Sequence, residues 1–153
     1  MRIKIISVGK IKQSFVHEGE GEYLQRMKSF AQLRLVEVPT STELPEAQMK
    51  QAECAAVLGK VDSGEYLVVL DEGGKQLTSK QFAALLQTQM NQGTSSFCFA
   101  IGGAYGWDDQ VRKEADLVLS LSAMTFPYQM TRLILVEQLY RAMTLLKGIP
   151  YHK

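Results

Sequence analysis

The sequence predicts an α/β fold of three layers, with a mostly parallel sheet between helices. Two observations carry that expectation. Strand-like and helix-like stretches alternate along the whole chain. Two of the strand-like stretches, YLVVL at 66–70 and SFCFAIGG at 96–103, are uninterrupted apolar runs that end at Asp or Gly, the pattern of strands covered on both faces.

Taken in order, Ile3, Ile5 and Val8 lie in a β-branched stretch ending at Gly9 and predict the first strand. A helix follows, with Ser14 as its expected N-cap and Val16, Tyr23, Leu24 and Met27 spaced for one apolar face up to about Phe30. LRLVEV at 33–38 alternates as a strand does, and PTSTELP after it is rich in turn formers. The second helix spans about 46–58, with Met49, Cys54, Ala55 and Leu58 expected inward and Gly59 as the cap. After the strand at 66–70, the third helix runs from Ser79 to Met90 and Gly93 closes it. DDQVRKEA at 108–115 reads as a short polar helix and LVLSL at 117–121 as the last strand. The final helix, about Tyr128 to Leu146, is apolar around most of its circumference and must be covered on more than one side. A terminal helix of a small domain has few partners in its own chain, so a homodimer is the expectation.

A chain of 153 residues with no internal repeat and no long linker suggests a single domain over residues 1–153. Its formal charge of +1 argues against a protein that grips bare nucleic acid by wholesale phosphate neutralisation. A nucleic-acid partner would need a local patch, recognition by shape or help from bound protein. The start lacks the apolar core of a signal peptide, and the longest uncharged run, Leu117 to Thr131, is too short and polar for a bilayer. We expect a cytoplasmic protein without a membrane partner. Cys54 and Cys98 have no metal-binding or redox spacing and read as reduced core thiols, so no metal is expected.

In open α/β sheets, ligands bind beyond the carboxyl ends of strands. Three such ends are unusual here: VLDEGGKQ at 69–76, where Gly73 and Gly74 suggest turns with positive φ, IGGAYGW at 101–107, and LSLSAMTFPYQ at 119–129. None matches a dinucleotide or phosphate-loop motif. The third is an uncharged loop whose backbone groups need partners, which an adenine and its ribose can supply; a loop packed under a second copy is the alternative. Glu137 and Arg141, four apart beside Tyr140, are an ordinary helix ion pair or a pair suited to a planar polar substrate.

Across the whole chain, KIISVGK, EYLQRM, VVLDEGGK, FAIGGAYG, LSAMTFPYQMTRLILVEQLYRA and the terminal PYHK resemble the knotted SPOUT-class methyltransferases. The resemblance is specifically to the small bacterial enzymes that methylate N3 of a pseudouridine in large-subunit ribosomal RNA. It implies a deep C-terminal trefoil knot, an exception to unknotted chains, and a homodimer whose active sites draw on both subunits. It also implies S-adenosylmethionine bound at Leu70, Gly102, Leu121, Ser122, Ala123, Met124, Thr125 and Phe126. The catalytic candidates it implies are Arg132, Glu137, Tyr140, Arg141, Tyr151, His152 and Lys153, acting on an assembled ribosome without a metal. One departure stands out: where the family usually reads TFPHQM, this chain has Tyr128, which suits a loop-shaping role better than a proton acceptor. A knotted methyltransferase of another RNA base, or a non-catalytic dimeric binding module, are the alternatives.

Overall fold

The computed structural model describes residues 1–153. Five strands, β1 (Arg2–Val8), β2 (Gln32–Val38), β3 (Tyr66–Gln76), β4 (Ser96–Ile101) and β5 (Leu117–Ser120), form one sheet in the order β2-β1-β4-β3-β5 with every pair parallel. Five helices connect and close it: α1 (Ser14–Met27), α2 (Glu46–Leu58), α3 (Ser79–Asn91), α4 (Asp109–Glu114) and α5 (Tyr128–Leu146).

The period of two along each strand sorts its side chains into two cores. Ile3, Ile5, Val68, Phe97, Phe99 and Ile101 meet α1, α3 and α5 on one face. Ile6, Val8, Leu67, Val69, Cys98 and Ala100 meet α2 and α4 on the other. Burial pushes the Cys98 thiol up to about 12, so it stays protonated as a small core side chain. Lys4 also points into the sheet, yet its hydrogen bonds to Asp62 at 2.6 Å and Glu65 at 2.8 Å outweigh the burial that opposes its charge.

Several local expectations are corrected. Ser14 is the first residue inside α1, and Gln13 takes the cap position without a side-chain hydrogen bond. Helix α1 ends at Met27 rather than near Phe30, and on α2 it is Glu53, Cys54 and Val57 that are buried, with Ala55 exposed. Neither Gly73 nor Gly74 adopts a positive φ. Instead β3 continues through them to Gln76 across a bulge, so that both Leu70 and Lys75 pair with Leu119. A Cβ on Gly74 would lie 2.8 Å from the Val118 and Leu119 backbone, and this close approach is what requires glycine there. Helix α5 does have partners within its own chain: it packs between α1 and α3, with Leu135, Val136, Leu139, Ala142 and Met143 buried. Its apolar circumference therefore does not by itself require a second copy.

Candidate functional site

Helix α3 leaves the end of β3 towards one face and α4 leaves the end of β4 towards the other, and a crevice opens where the chain diverges. It is a cleft of about 1140 Å³, large enough for a nucleoside-sized ligand. All three unusual strand ends meet there. Leu70, Asp71 and Glu72 come from β3, the stretch from Ile101 to Asp109 follows β4, and Leu121, Ser122, Met124, Thr125, Phe126, Pro127 and Tyr128 follow β5.

The cleft walls are braced by bonds between these segments. Trp107 Nε1 donates to Leu70 O at 2.8 Å, tying the glycine-rich loop to β3, and Thr125 donates to Glu72. Asp71 pairs with Arg112 at 2.7 Å. Gly106 turns the loop at φ +74°, with its N–H donating to Gly103 O at 3.1 Å. A Cβ on Gly103 would come within 2.7 Å of the buried Glu53 carboxylate and 3.1 Å of Val8, so a side chain there would have to displace Glu53. In the uncharged loop, Met124 N donates to Ser122 Oγ at 3.0 Å and Ser122 O accepts from Ser120 Oγ at 2.8 Å. No backbone-to-backbone hydrogen bond engages residues 122–126, so the remaining amides and carbonyls are open to a ligand. Four carboxylates line the cleft, Asp71, Glu72, Asp108 and Asp109, against two cations, Lys50 and Arg112, which suits a ligand bearing positive charge.

Of the cofactor positions expected from sequence, Leu70, Gly102, Leu121, Ser122, Met124, Thr125 and Phe126 line this cleft, and Ala123 lies exposed in the same loop outside the lining. The catalytic candidates fall elsewhere. Arg132 is 2% exposed and fully engaged: Nε and Nη2 donate to the two oxygens of Glu20 at 2.6 and 2.8 Å, and Nη1 donates to Glu37 at 2.9 Å and Ser7 at 3.1 Å. Glu137, Arg141, Tyr151 and His152 come together further along α5. One Glu137 oxygen accepts from Arg141 Nη2 at 2.5 Å and from the Tyr151 hydroxyl at 3.0 Å, while Arg141 Nη1 lies 3.3 Å from His152 Nδ1. Tyr140 stacks edge-on against Tyr151 at 4.8 Å, the Arg141 guanidinium covers the Tyr151 ring, and Lys153 is exposed beyond them. Burial and the hydrogen bonds to Tyr23 and Glu137 hold the Tyr151 hydroxyl well above the usual tyrosine range, so it remains a donor. None of this cluster lines the cleft. Thr131, the last cleft residue on α5, precedes Arg141 by ten residues, about 15 Å of helix rise. Sequence reasoning missed Trp107, Glu20 and Glu53, because each acts through a contact with a distant segment.

No group of three or more His, Cys, Asp and Glu side chains is placed to hold a metal ion, and no helix is long and apolar enough to cross a membrane. Fold and cleft define a class: a three-layer α/β protein whose loops beyond the carboxyl ends of β3, β4 and β5 enclose one cleft. Within that class, the sequence model of the family described as predicted SPOUT methyltransferase matches residues 1–152. The chain is also similar over its full length to three proteins called ribosomal RNA large subunit methyltransferase H. Those of Acetivibrio thermocellus and Halothermothrix orenii are each 42% identical and that of Enterococcus faecalis 39%, every alignment covering 100% of both chains. The chain belongs to the SPOUT methyltransferases and is an enzyme of that family, which implies S-adenosylmethionine as methyl donor.

Proposed function

We propose that this protein transfers a methyl group from S-adenosylmethionine to N3 of a pseudouridine in large-subunit ribosomal RNA. The observation that carries the reading is the convergence of the three strand-end loops on one acidic cleft with an open backbone lining. S-adenosylmethionine supplies a methyl group on a sulfonium centre, so displacement needs an aligned nucleophile and exclusion of water rather than a metal. Backbone groups of residues 121–126 and the Gly102 turn would hold its adenosine, with Leu70 and Phe126 as apolar walls and the carboxylates favouring its positive charge.

The acceptor nitrogen lies between two carbonyls and must lose its proton. Donors that stabilise the resulting anion lower that cost. Arg141 is such a donor, Glu137 orients it while accepting from the Tyr151 hydroxyl, and His152 lies against Arg141. Because this cluster is separated from the cleft of its own chain, we assign it to the cleft of a second copy, which makes the functional unit a homodimer. In this reading the uncharged loop and α5 form the trefoil knot of the family. Arg132 fixes the start of α5 beneath the loop instead of touching substrate.

The test is transfer of labelled methyl to ribosomes from a strain lacking the protein, comparing assembled ribosomes, separate subunits and bare RNA. Label confined to one pseudouridine of large-subunit RNA is the expected result. Label on another base, or on transfer RNA, would replace the substrate and keep the chemistry.

A further inference from the structure

The loop between β1 and α1, residues 9–13, is held from outside at four successive positions. The Tyr128 hydroxyl donates to Lys10 O at 2.6 Å, Ile11 N donates to Glu37 Oε1 at 3.4 Å, and Lys12 N and Gln13 N both donate to Gln129 Oε1 at 2.8 and 3.1 Å. Ile11 is buried beneath as a plug. Tyr128 also lines the cleft, so one residue of the cleft wall holds the loop.

This fixed backbone presents two cations without partners. Lys10 and Lys12 are exposed, and neither has a carboxylate within ion-pair distance. The acids on the elements packed against the loop are Glu20 and Glu37, both paired with Arg132, Glu22 and Glu137, paired with Arg26 and Arg141, and Glu18, exposed on α1. The remaining cleft wall has the opposite character: Asp71, Glu72, Asp108 and Asp109 prevail there, and Arg112 is already bound to Asp71 and Asp109. A polyanion is repelled on the acidic side and attracted at the loop. A chain with a formal charge of only +1 has no general basic excess, so a local patch of this kind is one way for it to meet RNA.

We propose that loop 9–13 docks the RNA backbone, with Lys10 and Lys12 each neutralising a phosphate beside the nucleotide presented to the cleft. The inference rests on the reading of the protein as an RNA methyltransferase. Tyr128 and Gln129 act as positioning residues: they hold the loop so that the lysines need little further ordering on binding.

The experiment measures binding of the full chain to assembled ribosomes from a strain lacking the protein by filter retention over a series of KCl concentrations, alongside methyl transfer. The Lys10→Gln/Lys12→Gln double variant is expected to bind about tenfold more weakly at low salt, with the slope of log K against log salt shallower by about 1.5–2. Its affinity for S-adenosylmethionine, measured by calorimetry, should match the wild type. Lys10→Arg/Lys12→Arg should keep the wild-type slope, and Gln129→Ala should weaken binding while keeping that slope. An unchanged slope and affinity in the glutamine variant overturns the proposal, as does an equal loss in the arginine variant. Wild-type protein that neither binds these ribosomes nor methylates their RNA would sink the underlying functional reading, and this proposal with it. Normal wild-type methylation with unaltered variants would sink this proposal alone.

Discussion

Helix α5 carries two arginine–glutamate clusters that look alike on paper and differ in nearly every physical respect. Arg132 joins Glu20, Glu37 and Ser7, bringing together four segments of the chain, and both it and Glu20 are sealed from solvent. Arg141 joins Glu137 one turn earlier on its own helix, with Tyr151 and His152 folded over them, and the whole group is half-exposed. In the first cluster the donors of the guanidinium are spent inside the protein. In the second, Arg141, Tyr151 and His152 sit at a surface where a substrate can reach them. Removing a saturated, buried arginine strands its partner charge, whereas removing a half-buried one leaves its partner within reach of water.

The sharpest way to break this contrast is to remove each arginine in turn. Arg132→Ala should lower the unfolding free energy by about 3–5 kcal/mol, because it strands the Glu20 carboxylate inside the protein; urea denaturation measures it, and a change within 1 kcal/mol would show the cluster is not structural. Arg141→Lys keeps the charge and loses the fork that grips Glu137. Methyl transfer should fall about a hundredfold, while stability shifts by less than about 1 kcal/mol.

Alkaline titration separates the clusters more gently. The Tyr151 hydroxyl is held protonated by burial and by its bonds to Tyr23 and Glu137, so docking of the tail is intact below the ordinary tyrosine range and is lost as pH rises through the raised value. The Tyr151 ring signals, followed by nuclear magnetic resonance, should stay those of the protonated phenol above the ordinary tyrosine range. The smallest effect concerns Tyr128→Phe, which removes one hydrogen bond to Lys10 O and should cost about 1 kcal/mol in thermal stability. Retained activity in that variant would confirm that the phenol shapes the loop and takes no proton.

The same contrast marks how much was legible in advance. The Glu137 and Arg141 pair follows from a spacing of four on a helix, and the bounds of α2 and α5 follow from proline, glycine and apolar spacing. Two of the three loops that line the cleft were singled out because buried apolar runs stop at glycine or aspartate, and the third because it carries no charge. Glu20 was hidden among the polar residues of an amphipathic helix, since its partner lies 112 positions away. Gly73 and Gly74 read as a turn, and only the passage of β5 beside β3 shows that Gly74 is needed for close approach and that the strand runs on.

By itself the sequence determined the alternation of strands and helices, the parallel and doubly covered sheet, and the stretches able to bind a ligand, because each is written in local periodicity and in the conformational limits of glycine and proline. Tertiary structure alone decided which polar residues share an environment. It seats Arg132 against Glu20, Trp107 against Leu70 and Tyr128 against the β1–α1 loop, and it keeps the Glu137–Arg141 cluster away from the cleft of its own chain. Burial and long-range pairing depend on how whole elements pack, and no local pattern encodes that distance.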